Sequence, residues 1–74
     1  MTPPEKLAAM ANQIALAFVY KGDSQAAAAV TDHLVKFWAP RMRDAICNYL
    51  AEGGDALSPV ARRAVEDLKL NKAA

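Results

Sequence analysis

The 74-residue sequence has very few of the residues that small proteins use to stabilise themselves or to carry chemistry. It contains one cysteine, Cys47, and one histidine, His33. A single cysteine excludes a disulfide within the chain, and these two donors fall short of the four ligands of a structural zinc site. A chain of this length buries only a small core, and natural proteins of this size usually add disulfides, a metal or a partner chain. The sequence therefore favours a partner.

Neither sign of charge dominates, and no apolar run is long. Nine Lys and Arg residues against eight Asp and Glu give a net charge of +1, which provides no general attraction to nucleic acid or anionic membranes. No segment approaches the roughly 20 apolar residues of a membrane span. The N-terminal stretch has Pro3, Pro4 and Glu5 where a secretory signal needs basic and then apolar residues. We therefore expect a cytoplasmic location.

Apolar residues are more frequent than usual. They make up 54% of the chain, whereas soluble domains have roughly 45–50% even when glycine is counted. Because a short chain cannot bury this surplus alone, part of it must be exposed or covered by another protein.

Proline and glycine mark the predicted ends of the helices, and the first two helices are the clearest examples. Pro3 and Pro4 suit the first turn of a helix, and Gly22 suits its end. Asp23 or Ser24 is then expected to cap a second helix. The apolar stripes of these two helices comprise Leu7, Met10, Ala11, Ile14 and Phe18, and then Ala27, Val30, Leu34, Phe37 and Trp38.

Two further helices follow. Pro40 ends the second helix and opens the third, Gly53–Gly54 stops the third, and Ser58 followed by Pro59 starts the fourth. Their stripes comprise Met42, Ala45, Ile46, Tyr49 and Leu50, and then Ala61, Ala64, Val65 and Leu68. No stretch alternates with period two for long enough to predict a strand. The sequence predicts an all-α protein: one domain over residues 1–74, a small bundle of three to four short helices with a corner at Pro40, a core over about residues 5–70, and frayed residues 71–74.

The back of the first helix carries a second apolar group. Leu16, Val19 and Tyr20 lie away from the stripe at 100° per residue. They are either exposed, or wrapped by the fourth helix, or buried against another chain; the surplus of apolar residues supports the last.

No residues form a catalytic constellation. His33 lies on the flank of the apolar stripe, and its neighbour Asp32 points elsewhere on a helix, so packing or an interface hydrogen bond is favoured over a role as general base or metal ligand. Cys47 is expected to be a small buried hydrophobe rather than a nucleophile. No glycine-rich phosphate loop occurs. Three i,i+4 pairs of opposite charge are expected to be exposed, namely Asp32–Lys36, Arg62–Glu66 and Arg63–Asp67.

One run has the character of a binding surface. In HLVKFWAPRMR (33–43), Lys36, Arg41 and Arg43 lie near Trp38, and Trp and Arg are enriched at interface hot spots. The run is either an interface or a corner of the core; nucleic-acid binding and small-anion binding are the competing interpretations. Asp44 and Glu52 dilute the positive charge that a recognition helix needs.

Several segments together resemble a known family. They are MANQIA (10–15), HLVKFWAPRMR (33–43), a helix ending at Gly53–Gly54, and LSPVARRAVEDL (57–68). The chain resembles the delta subunit of cytoplasmic NAD-dependent formate dehydrogenases, soluble complexes that contain molybdenum or tungsten. The likeness covers roughly residues 6–70, and its most specific part is H-L-x-x-F-W-x-P-x-M-R, seven residue types in an order that helical periodicity does not require.

The resemblance implies a subunit that is not itself an enzyme, within a complex that oxidises formate and reduces NAD. It implies that an alpha subunit carries bis-molybdopterin guanine dinucleotide with Mo or W and iron–sulfur clusters, that a beta subunit carries FMN and reduces NAD, and that a gamma subunit carries a further cluster. The delta subunit is implied to bind none of these, and to support assembly, stability or maturation of the molybdenum cofactor.

We therefore expect the chain to dock on the alpha subunit. Leu34 and Phe37 are expected to face inward. The expected contact residues are Asn12, Gln13, Leu16 and Tyr20 on the first helix, and His33, Trp38, Pro40, Arg41, Met42 and Arg43 around the corner. The alternatives are a small helical nucleic-acid-binding protein and a self-associating regulatory protein.

Overall fold

Four α-helices make up the structure, a computed structural model that describes the backbone of residues 3–73 and the side chains of residues 3–70. The helices are α1 (Pro4–Phe18), α2 (Asp23–Phe37), α3 (Pro40–Ala51) and α4 (Pro59–Ala73), with a 3₁₀ turn at Val19–Lys21. No strand occurs within residues 3–73, and the predicted all-α fold class is confirmed. None of the described helices is long and apolar enough to cross a lipid bilayer. Residues 71–74 are predicted to be frayed. The side chains of residues 71–73 and the whole of Ala74 lie outside the described part of the chain, so this stays a prediction.

Proline opens three of the four helices. Pro4, Pro40 and Pro59 each stand at the start of a helix, where the N–H that proline lacks is not needed. Ala39 has φ −64° and ψ 150°, the extended conformation that a following proline favours. The Ser58 hydroxyl oxygen accepts a hydrogen bond from the N–H three residues on, at 3.4 Å. The predicted corner at Pro40 and the predicted cap at Ser58 are thus confirmed.

The junction between α1 and α2 differs from the prediction. Neither Asp23 nor Ser24 caps α2, because the helix already begins at Asp23 and its N-cap is Gly22, with no capping side chain. Gly22 has φ +87° and ψ 156°, a conformation that glycine adopts far more readily than other residues. Its carbonyl oxygen accepts from the Ala26 N–H at 2.8 Å. The Asp23 carboxylate consequently lies in the first turn, where the helix dipole favours negative charge.

Gly53 and Gly54 end α3 as predicted. Their N–H groups donate to the carbonyl oxygens of Leu50 and Tyr49, at 3.0 and 3.1 Å, which is the bond pattern of a Schellman motif. Gly54 has φ +59°, and a Cβ at this position would lie 3.1 to 3.2 Å from atoms of Leu50. Arg62 of α4 donates to both glycine carbonyl oxygens, at 3.1 and 2.7 Å. Its guanidinium therefore ties α4 to the end of α3 instead of pairing along its own helix.

The core lies between the four helices, and α2 with α4 makes its most extensive contact. The buried Thr31 hydroxyl lies 2.9 Å from the Ala64 carbonyl oxygen across this contact and 3.0 Å from the Ala27 carbonyl oxygen of its own helix. Small residues here let the two helices approach closely. Among the predicted stripe residues, those buried are Leu7, Ala11, Ala27, Val30, Leu34, Trp38, Ile46, Ala61, Ala64, Val65 and Leu68, and those packed against them are Met10, Ile14, Phe18, Met42, Ala45, Tyr49 and Leu50.

The two aromatic residues at the end of α2 differ sharply in burial. Leu34 is buried as predicted, but the prediction that Phe37 faces inward is wrong: Phe37 is 73% exposed, whereas Trp38 is 6% exposed. Trp38 has already left the helix, with φ −88° and ψ 140°, because the chain extends to reach Pro40. Its side chain fills the core at the corner. Phe37 is left outside and packs on His33, with ring centroids 4.8 Å apart.

Replacing Trp38 with alanine should lower the free energy of unfolding by about 3–5 kcal/mol, because a large buried side chain leaves a cavity. Its neighbour provides the control: Phe37→Ala should change stability by no more than about 0.5 kcal/mol, since that side chain is mostly in solvent already. Urea unfolding followed by far-UV circular dichroism measures both. Equal midpoints for the two variants would contradict the burial described for Trp38.

Candidate functional site

Three large apolar side chains are exposed where α1 ends. Leu16 is 68% exposed, Val19 57% and Tyr20 77%, and their spacing places them on one side of the chain. The Lys21 ammonium lies 5.4 Å from the centroid of the Tyr20 ring. Of the readings left open by the sequence, wrapping by the fourth helix is therefore wrong for the described residues. We call Leu16, Val19 and Tyr20 the α1 patch.

A groove runs beside the α1 patch, towards the start of α4. Its volume is about 390 Å³. It is lined by Asn12, Ala15, Leu16, Val19, Asp23, Ser58, Pro59 and Val60. A smaller cleft of about 150 Å³ shares Asp23, Pro59 and Val60 with it and adds Arg63. We call the two together the α1–α4 groove.

Asn12, an expected contact residue, is used inside the chain. Its side-chain N–H donates to the Ala56 carbonyl oxygen at 2.7 Å, and its side-chain oxygen accepts from the Ser58 N–H at 2.8 Å. The Tyr49 hydroxyl oxygen accepts from the Ala56 N–H at 3.0 Å. These bonds hold the α3–α4 loop against α1, a role that the sequence interpretation missed. One sign of it is present in the sequence: Asn12 lies beside the apolar stripe, where a polar side chain needs partners.

Arg43, another expected contact residue, closes the corner from within. Its Nη1 donates to the carbonyl oxygens of Val35, at 3.2 Å, of Leu34, at 3.4 Å, and of Trp38. The last carbonyl groups of a helix have no partner within it, and positive charge is favoured there. Arg43 therefore completes the C-terminus of α2.

The other expected corner residues are divided between the surface and the core. Pro40 and Arg41 are exposed, as is Gln13 on α1. Met42 is half-buried and packs against the core, and Trp38 is buried within it. The structure thus brings Pro40 and Arg41 to the surface and takes Trp38 into the fold; contact of any of them with a partner stays a prediction.

The polar groups of α2 do not form a catalytic arrangement. Asp32 pairs with Lys36 at 2.9 Å on the exposed side of the helix, which confirms that predicted ion pair. His33 is half-buried against Phe37 instead of being oriented by the neighbouring carboxylate. The predicted pairs Arg62–Glu66 and Arg63–Asp67 are not formed among the described residues.

Potential metal ligands are scattered. No group of three or more His, Cys, Asp or Glu residues in the described part of the chain is placed to hold a metal ion. Cys47 is buried on α3, as predicted. A depression of about 670 Å³ between α3 and α4 is lined by residues of both charge signs, including Arg62, Lys69 and Asp67, which gives no preference for an ion of either sign.

Asn12→Ala should lower the free energy of unfolding by about 1–3 kcal/mol, because it removes both bonds to the α3–α4 loop. The matched control is Gln13→Ala, the exposed neighbour, which should stay within about 0.5 kcal/mol of the unchanged protein. Thermal unfolding of the two variants measures the difference. Equal melting temperatures would contradict the anchoring role of Asn12.

Comparison with known families shows a match that covers most of the chain. The family model of the NADH-dependent formate dehydrogenase delta subunit FdsD matches residues 6–65, a range that includes the α1 patch and the Pro40 corner. No curated protein and no solved structure matches the chain at a significant level. The resemblance seen in the sequence is confirmed: the chain belongs to the family of NADH-dependent formate dehydrogenase delta subunits.

Proposed function

We propose that this chain is a non-catalytic accessory subunit that binds the alpha subunit of a formate dehydrogenase. Bound there, it supports assembly, stability or maturation of the molybdenum cofactor. The family of the chain supports this role, since a delta subunit is one member of a complex with further subunits. The proposal includes a cytoplasmic location, which the resemblance implies.

The exposed α1 patch is the observation that carries the proposal. The core is filled by other residues, yet Leu16, Val19 and Tyr20 remain more than half exposed. A contiguous apolar patch on a small protein costs solubility and usually marks a surface that binds another protein. An accessory subunit needs a surface of this kind to bind its partner.

The polar residues support a non-catalytic role. Asn12 and Arg43 hold the backbone together, and Asp32 is paired with Lys36. A general base needs an orienting partner, but His33 is packed against an aromatic ring. We therefore assign the oxidation of formate and the reduction of NAD to partner subunits.

The cofactors of the reaction also fit partner subunits better than this chain. Cys47 is enclosed in the core on α3, whereas His33 lies on α2 against Phe37. These two donors cannot supply the thiolate set that an iron–sulfur cluster needs. We place bis-molybdopterin guanine dinucleotide with Mo or W, the iron–sulfur clusters, FMN and NAD on the alpha, beta and gamma subunits.

The alternative function, binding of nucleic acid, was suggested by three cations, and two of them have partners within the chain. Of the three near Trp38, Lys36 pairs with Asp32, and Arg43 is bound to carbonyl groups. Arg41 remains exposed, but one cation gives little affinity for phosphates. The net charge of +1 supplies no wider attraction.

The proposal predicts a measurable defect when the complex is produced without this chain. Cells that produce a tagged alpha subunit with the other subunits should yield less formate-dependent NAD reduction when this chain is left out. The unchanged chain, supplied again, should restore it and co-purify with the tag. Normal activity and metal content without the chain, together with no co-purification, would rule the proposal out.

Two further measurements separate the roles. A loss of assembled alpha subunit, with normal molybdenum or tungsten per alpha subunit, indicates assembly or stability. A normal amount of assembled alpha subunit with a low metal content indicates maturation of the cofactor. Metal analysis by mass spectrometry and quantitative gels on the same samples distinguish the two outcomes.

A further inference from the structure

We draw no further inference here: the strongest candidate, the α1 patch with the adjoining α1–α4 groove, is an exposed apolar surface, and nothing in the structure shows what covers it.

Discussion

The bundle depends most on the contact between α2 and α4, which is the most extensive contact between its helices. Thr31 bonds across the contact to the Ala64 carbonyl oxygen, and much of the surrounding core is alanine. Helices that approach on alanine leave little volume between them. Tyr20 and Phe37, near the ends of the helices, lie outside this core, whereas Trp38 fills it at the Pro40 corner. Part of the apolar surplus of the sequence therefore lies at the surface.

Several polar side chains that could have bound a partner instead form hydrogen bonds to backbone groups near the ends of the helices. Arg43 takes the last carbonyl groups of α2, Arg62 takes those of Gly53 and Gly54, and Asn12 bonds the loop before α4. A small bundle has as many helix ends as a large one but fewer residues to satisfy them. A larger share of the polar side chains is therefore used in hydrogen bonds to the backbone than in a longer protein. Large apolar side chains, among them those of the α1 patch, remain at the surface beside the charged residues.

Periodicity and helix-breaking residues predicted the fold well, with two exceptions, one at each end of α2. The stripes of α1, α3 and α4 were correct because each lies within a regular helix, where 100° per residue fixes the buried side. The approach failed at Phe37, because the next residue leaves the helix and takes the core position. It also failed at Asp23, because glycine at φ +87° starts the helix one residue early. In the candidate site, the same periodicity predicted that Leu16, Val19 and Tyr20 lie away from the α1 stripe, but it left open whether they are exposed. The bonds of Asn12 to Ala56 and Ser58 were not predicted, since they join parts of the chain more than 40 residues apart.

The most specific sequence pattern, H-L-x-x-F-W-x-P-x-M-R, takes on a different meaning in the structure. Of its seven residue types, five serve the fold: Leu34 and Trp38 fill the core, Pro40 turns the chain, Met42 packs beneath the turn and Arg43 bonds the end of α2. A proline corner between two helices needs each of these parts at a fixed separation, so their order follows from geometry. In this chain the order of these residues is thus largely the requirement of one corner.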